Sequence, residues 1–155
     1  TDTGFPPCTA RACIEILDYY DIRIKGAKAA VVGRSLVVGR PLAMMLMSRN
    51  ATVTVCHTGT EPSDMERICR EADILAVASG RPATVAKQHT NSMQTVIDVG
   101  INVDSDGNMC GDAVFDEISE EAGAVTPVPG GVGGVTSCIL MLHTAEAAEK
   151  QLRGK

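Results

Sequence analysis

A turn between two glycines is the part of this sequence whose residue types and spacing best suit chemistry. An apolar, β-branched run over residues 29–32 ends at Gly33; Arg34 and Ser35 follow, and a second glycine, Gly39, comes before a proline. A strand, a tight turn and a helix N-terminus in this order present free N–H groups and a partial positive charge, which bind phosphate. The spacing only partly matches the G-x-G-x-x-G fingerprint of dinucleotide sites, so an ordinary strand-turn-helix corner is the alternative.

The end of the next apolar segment carries a second group of candidate binding residues. In many NAD-binding domains the second strand ends in Asp or Glu, which binds the ribose hydroxyls. This chain has His57 and Thr58 there instead, so no carboxylate would repel a 2′-phosphate. Arg34, His57 and Thr58 could therefore hold the 2′-phosphate of NADP. The alternatives are a solvated loop arginine, a histidine bound by local backbone and, for Ser35, a turn cap rather than a pyrophosphate donor.

A glycine-rich stretch near the end of the chain is the third candidate. Four of the five residues 130–134 are glycine. Ordering so many glycines costs conformational entropy, so such a loop is expected where backbone must come close to a flat or phosphorylated ligand. A disordered linker is the alternative, although it fits poorly between a strand and a helix.

The pattern of apolar residues predicts the elements that position these groups. Helices and strands alternate, which is typical of a Rossmann-type, doubly wound α/β fold with a mainly parallel sheet and helices on both faces. The predicted strands are 29–32, 51–56, 74–78, 95–99 and 124–126; the predicted helices are 10–20 after an N-cap at Thr9, one after Gly39, one from Pro62 and one over 135–152. Residues 127–134 are expected to form a long loop.

Parallel strands bring their carboxyl ends to one edge of a sheet, where ligands bind. The expected ends are small or polar: Gly33, His57, Gly80, Gly100 and the 127–134 loop. Asp98, close to one of these ends, could be catalytic or could serve as a structural hydrogen-bond acceptor.

Length and composition exclude several classes of function. The 155 residues suit one domain, 45% of them are apolar, and the net charge of −5 without a basic stripe argues against nucleic-acid binding. Six scattered cysteines without a C-x-x-C pair predict neither a metal site nor a disulfide framework, but small buried residues. No apolar run approaches the roughly 18 residues of a membrane helix. Residues 42–47 are apolar nearly all round, which predicts a buried helix.

Taken together, these motifs resemble the cofactor-binding domain of the methylenetetrahydrofolate dehydrogenase/cyclohydrolase family, over essentially the whole chain. The matching segments follow the family order and are 7–9 (Pro-Cys-Thr), 32–35 (Val-Gly-Arg-Ser), 38–41 (Val-Gly-Arg-Pro), 51–57, 98–102 (Asp-Val-Gly-Ile-Asn), 111–112 (Gly-Asp) and 126–133 (Thr-Pro-Val-Pro-Gly-Gly-Val-Gly). Ala10 and Gly134 stand where the family usually has proline, and Thr58 where it usually has serine.

The resemblance implies an enzyme that oxidises 5,10-methylenetetrahydrofolate to the methenyl form with NADP and hydrolyses that product to 10-formyltetrahydrofolate. It implies a cofactor site and a folate cleft in this chain. The implied cofactor-binding residues are Gly33, Arg34, Ser35, Gly39, His57, Thr58, Gly80, Ile101 and Thr136, and the implied substrate-binding residues are Pro129, Gly130, Gly131, Val132 and Gly133. Ile101 is expected on the nicotinamide side.

The resemblance also implies partners. Family members carry an N-terminal domain with the lysine and tyrosine of the proton chemistry, so residues 1–8 are expected to be a linker from that domain and no catalytic residue is assigned here. A homodimer, a place in one-carbon metabolism and purine biosynthesis, and a cytoplasmic location, with a mitochondrial one as the alternative, are further expectations. The alternative functions are a non-catalytic NAD(P)-binding module with a regulatory or scaffolding role and another α/β dehydrogenase.

Overall fold

The computed structural model describes residues 4–153 and contains one parallel sheet with helices on both faces. The elements are α1 (Cys8–Tyr19), β1 (Lys28–Val32), α2 (Gly39–Ser48), β2 (Thr52–Cys56), α3 (Pro62–Glu71), β3 (Ile74–Val77), β4 (Thr95–Asp98), β5 (Asn102–Val103), β6 (Met109–Cys110), α4 (Phe115–Glu121), β7 (Ala124–Val125) and α5 (Val132–Arg153), with a 3₁₀ turn at Lys87–His89. The strand order of the parallel sheet is β2-β1-β3-β4-β7, and every pair in it is parallel. The predicted fold class is confirmed.

The sheet separates two hydrophobic cores, because successive side chains of a strand point to opposite faces. In β1, Ala29 and Val31 pack with the residues of α1, α2 and α5, whereas Ala30 and Val32 pack on the side of α3 and α4. Burial on both faces explains why the sequences of β1 and β3 are almost continuously apolar, whereas the edge strand β2 alternates between threonine and valine.

Helices α1 and α5 lie side by side and are joined by a buried histidine. His143, 6% exposed, accepts a hydrogen bond from Arg11 Nη1 to its Nε2 at 2.9 Å and has its Nδ1 3.6 Å from Cys8 Sγ. Phe5 stacks beside the same ring, with the ring centroids 4.8 Å apart. This contact places Phe5, from the predicted linker, against α5; residues 1–3 of that linker lie outside the described residues.

The helix boundaries differ from the sequence prediction at both ends of the chain. Helix α1 begins at Cys8 with Pro7 as its N-cap, so the prediction of Thr9 as N-cap was wrong. Helix α5 begins at Val132, inside the segment predicted as a loop, and runs to Arg153. The predicted loop of residues 127–134 is therefore shorter, and its last glycines are helical.

Helix α2 is less buried than its apolar sequence predicts. Leu42 and Leu46 lie in the core, but Met44 is 60% exposed and Met47 46% exposed. The expectation of a helix buried all round was therefore wrong. One side of α2 packs on α1 and the sheet, and nothing in residues 4–153 covers the methionines on the other side.

The cysteines follow the prediction in part. All six are free; Cys13, Cys56 and Cys69 are buried as expected, whereas Cys138 is exposed. Burial raises the pKa of the Cys13 thiol to about 12, so it stays a neutral apolar side chain. Of the helices formed by residues 4–153, none has both the length and the hydrophobicity that a membrane crossing requires.

Candidate functional site

The turn after β1 is held in a conformation that only glycines allow. Gly33 has a φ of +122°, and a Cβ at this position would overlap the backbone carbonyl of Ala78 at the end of β3. A Cβ on Gly39 would overlap the carbonyl of Gly33. Both glycines therefore serve close backbone packing, and the turn after β1 is pressed against the end of β3. This is a packing role for Gly39; its contact with a cofactor stays a prediction.

Ser35 accepts hydrogen bonds from backbone N–H groups at the start of α2 and still has a proton to donate. Its Oγ accepts hydrogen bonds from Val38 N at 3.1 Å and from Gly39 N at 3.4 Å. Because an oxygen that accepts two bonds keeps its own hydrogen, the hydroxyl can donate to a bound anion. The two interpretations of Ser35, turn cap and pyrophosphate donor, are thus compatible.

A cleft of about 490 Å³ opens beside this turn, between the ends of β1, β2 and β3. Arg34, His57 and Thr58 all line it, as the sequence predicts, and Arg81 lines it too. His57 is oriented by local backbone, since its Nδ1 accepts from Gly59 N at 3.0 Å. The other ring nitrogen is left to face the cleft or solvent. Among residues 4–153, no Asp or Glu side chain lines this cleft, which we name the basic cleft.

A second cleft of about 750 Å³ continues along the same edge of the sheet; we name it the glycine cleft. The two clefts share Ser35, Ala78 and Ser79. The predicted site residues that line the glycine cleft are Gly80, Ile101, Pro129, Gly130, Gly131, Val132, Gly133 and Thr136. The structure therefore brings every predicted site residue except Gly39 to one of two connected clefts.

The glycines of this larger cleft leave room for a ligand. A Cβ added to Gly80, Gly130, Gly133 or Gly134 would meet no atom within 4 Å, so these positions face open space. Ile101, 69% exposed, offers an apolar wall. Thr136 Oγ1 donates to Val132 O at 2.9 Å, which leaves its lone pairs as acceptors. A flat ring with polar substituents fits these surroundings.

Two buried carboxylates hold the loops that form the glycine cleft. Asp98 Oδ1 accepts from Gly100 N at 2.9 Å and from Asp112 N at 3.0 Å, and its Oδ2 accepts from Ala113 N at 2.9 Å. Burial raises the pKa of Asp98, and these backbone N–H groups oppose that rise by stabilising the charged form. The structural interpretation of Asp98, as a hydrogen-bond acceptor, fits these contacts.

The second carboxylate, Asp112, is 0% exposed and has no role predicted from the sequence. Its Oδ2 accepts from Ser79 Oγ at 3.0 Å and from Gly80 N at 2.7 Å, and its Oδ1 accepts from Asn102 Nδ2 at 2.8 Å. Asp112 thus ties the loop after β3 to the start of β5. The Gly-Asp pair at 111–112, one of the segments that carry the family resemblance, was the only sign of it in the sequence.

The residues that surround the clefts suit a dinucleotide rather than a metal ion. Among residues 4–153, no three His, Cys, Asp or Glu side chains are grouped as metal ligands. A cationic cleft joined through a hydroxyl and a tight turn to a glycine-bordered cleft matches a phosphorylated adenosine, a pyrophosphate and a nicotinamide in that order.

Comparison with known proteins agrees with this geometry. Residues 7–152 match the family described as tetrahydrofolate dehydrogenase/cyclohydrolase, NAD(P)-binding domain. The chain is 49% identical over 147 residues to the bifunctional protein FolD of Clostridium botulinum strain Langeland, which covers 95% of this chain and 51% of the relative. It is 51% identical over 149 residues to FolD of Carboxydothermus hydrogenoformans, with the same coverage.

Solved structures show the same relationship. The FolD dehydrogenase/cyclohydrolase of Campylobacter jejuni superposes with a TM-score of 0.92 at 38% identity, over 97% of this chain and 52% of that one. The Trypanosoma brucei enzyme, solved with NADP cofactor and an inhibitor, gives a TM-score of 0.89 at 37% identity, over 95% of this chain and 52% of that one. The chain spans about half the length of the relatives it matches. It belongs to the tetrahydrofolate dehydrogenase/cyclohydrolase family, as an NAD(P)-binding domain.

Proposed function

We propose that this chain binds NADP across the two clefts and is the coenzyme-binding part of an enzyme that oxidises 5,10-methylenetetrahydrofolate to 5,10-methenyltetrahydrofolate and hydrolyses this to 10-formyltetrahydrofolate. The observation that carries the proposal is the basic cleft, which has two arginines and no carboxylate in a chain of net charge −5. Its junction with the glycine cleft at Ser35 gives one continuous binding edge. The FolD relatives, which are named as methylenetetrahydrofolate dehydrogenase/cyclohydrolases, supply the reaction.

In this proposal each cleft holds one end of the coenzyme. Arg34, His57 and Thr58 bind the 2′-phosphate end, and Ser35 with the turn at Gly33 binds the pyrophosphate. Ile101 and Gly80 border the nicotinamide, which when bound accepts the hydride from the methylene carbon of the folate. The protein's contribution is to hold the coenzyme's reacting face toward the folate and to keep it oriented.

The wall formed by residues 129–133 is proposed to contact the folate. Gly130 and Gly133 of this wall face open space, which leaves room for the flat pterin beside the nicotinamide. Val132, 3% exposed, anchors this wall in the core at the start of α5. We assign no catalytic residue to this chain, and we propose that the proton chemistry belongs to an N-terminal domain of the whole enzyme.

The alternative functions are less well supported. A regulatory NAD(P)-binding module would not need a glycine-bordered wall beside the nicotinamide position, and the relatives named above are enzymes. The homodimer, the supply of one-carbon units for purine biosynthesis and the cytoplasmic location stay predictions from the resemblance.

Calorimetric titration of the chain and of Arg34→Ala with NADP and with NAD tests the proposal. A charge-assisted contact to a phosphate is lost only for NADP, so we expect Arg34→Ala to raise the Kd for NADP roughly tenfold to a hundredfold and that for NAD much less. Arg70→Ala, which removes the same charge from the far end of α3, is the matched control. Equal losses for both coenzymes would refute the role of Arg34, and absence of binding of either coenzyme to the unmutated, folded chain would refute the proposed function.

A further inference from the structure

Arg81, to which the sequence analysis gave no role, lies on the loop that follows β3 and lines the basic cleft together with Arg34. Its side chain is exposed, and its guanidinium makes no hydrogen bond or ion pair with any residue between 4 and 153. Most other arginines of the chain are engaged: Arg11, Arg49, Arg67 and Arg153 form ion pairs and Arg23 and Arg40 donate to backbone carbonyls. All the donors of the Arg81 side chain are therefore available to a ligand.

The backbone of Arg81 is nevertheless firmly held. Arg81 N donates to Ser79 Oγ at 3.2 Å, and Thr84 Oγ1 donates to the Arg81 carbonyl at 2.8 Å. Asp112 Oδ2 in turn accepts from Ser79 Oγ and from Gly80 N. A fixed backbone that carries a free cationic side chain is an arrangement that suits ligand binding, because little backbone entropy is lost when a ligand arrives.

Arg34 and Arg81 belong to backbone segments that contact each other. The turn at Gly33 is pressed against the carbonyl of Ala78, as shown above, so the residue after Gly33 and the loop three residues beyond Ala78 border the same space. His89 also lines this space, and its Nδ1 accepts from Ala86 N at 3.2 Å. Two arginines without a carboxylate give the basic cleft a net positive charge suited to a phosphate monoester of about two negative charges.

We propose that Arg81 is a second specificity-determining residue, which binds the 2′-phosphate of NADP from the loop after β3, next to the turn that carries Arg34. The inference rests on the proposed function, since it names a further ligand of the same coenzyme. A pyrophosphate contact is disfavoured because Arg81 lines the basic cleft and not the glycine cleft, whereas the pyrophosphate position at Ser35 is common to both. Arg81 therefore adds affinity for NADP, which carries the 2′-phosphate, and not for NAD.

Titration of the chain, of Arg81→Ala and of Arg81→Lys with four probes tests this assignment: NADP, NAD, adenosine 2′,5′-bisphosphate and adenosine 5′-monophosphate. We expect Arg81→Ala to weaken NADP and the bisphosphate about tenfold and to change NAD and the monophosphate less than about twofold. Arg81→Lys should fall between, because it keeps the charge but loses the planar fork. Arg70→Ala is the control for the change in net charge, and the thermal midpoint of each variant checks its fold.

Three results would overturn the assignment. Unchanged NADP affinity in Arg81→Ala, with the NADP preference of the unmutated chain intact, would refute Arg81 and leave the proposed function standing. Equal losses for NADP and NAD would place Arg81 on the part common to both coenzymes. Absence of binding of any probe to the unmutated chain would remove the proposed function and this inference with it.

Discussion

Replacing Asp112 by Asn tests whether one buried carboxylate holds the ligand-binding edge together. The substitution keeps the size of the side chain but exchanges one acceptor oxygen for an NH₂ group. If the NH₂ takes the place of Oδ2, it faces the N–H of Gly80, now 2.7 Å from that oxygen; if the amide flips, it faces Asn102 Nδ2, now 2.8 Å from Oδ1. Either orientation puts two donors against each other.

The expected cost follows from these contacts. Losing a charged acceptor and leaving one buried donor without a partner costs about 2–4 kcal/mol. That is a large share of the roughly 5–15 kcal/mol by which a domain of this kind is stable. Urea unfolding followed by circular dichroism should show a lower midpoint with an unchanged slope, and amide hydrogen exchange should be faster at Gly80 than in the strands.

Asp104→Asn is the matched control for this experiment. Its carboxylate also accepts three hydrogen bonds, from Asp106 N, Asn108 N and Asn108 Nδ2, but it lies exposed in the turn between β5 and β6. The same change of charge should therefore have a small effect there, since water replaces the lost contacts. A drop in stability for Asp112→Asn no larger than for Asp104→Asn would show that Asp112 does not hold the loops.

Two further predictions concern glycines and pH. Gly33→Ala should lower the free energy of unfolding by about 3 kcal/mol or more, because its methyl would overlap the carbonyl of Ala78 at a positive φ. Gly134→Ala should instead stabilise α5 by about 0.5–1 kcal/mol, because its methyl meets open space. Thermal unfolding compares the two variants, and a shift of both midpoints in the same direction would contradict the packing argument. Arg49 donates two hydrogen bonds to Asp18 and lowers its pKa, so this exposed pair contributes at most about 1 kcal/mol, present above the unfolded pKa of about 3.9 and lost as pH falls through the lower folded value. Asp18→Asn should flatten that part of the pH–stability curve, and an unchanged curve would show that the pair contributes nothing.

The sequence predicts the sheet well because β1, β3 and β4 are mostly apolar runs that end at glycine or polar residues, a pattern that burial on both faces imposes. Strand β2, at the edge of the sheet, is visible instead from its alternation of threonine and valine. Helix α4 and the strands β5 and β6 are not, since α4 spans seven residues and each strand two. Elements this short are determined by tertiary contacts such as the bridge between Val85 and Ala113 rather than by periodicity.

The residues of the candidate site also differ in how well the sequence predicts them. Residues adjacent to a strand end in the sequence, such as Arg34 and His57, are predictable because the fold class alone brings them to one edge. Asp112 was missed because its partners Ser79, Gly80 and Asn102 are 33, 32 and 10 residues away. The start of α5 was misplaced because glycine disfavours helices on its own, and the local preference was overridden where Gly131 packs against the carbonyl of Pro127.

The interlocked backbone at Gly33 and Gly39 has a consequence for how such a domain could change its coenzyme. Since neither position tolerates a side chain, the shape of the turn is the same whichever coenzyme is selected. Selection between the two coenzymes can then act only through side chains around the basic cleft. Variants that exchange those side chains and keep the turn should change the preference between NADP and NAD without a loss of folding. Variants with a longer turn should lose both coenzyme binding and stable folding.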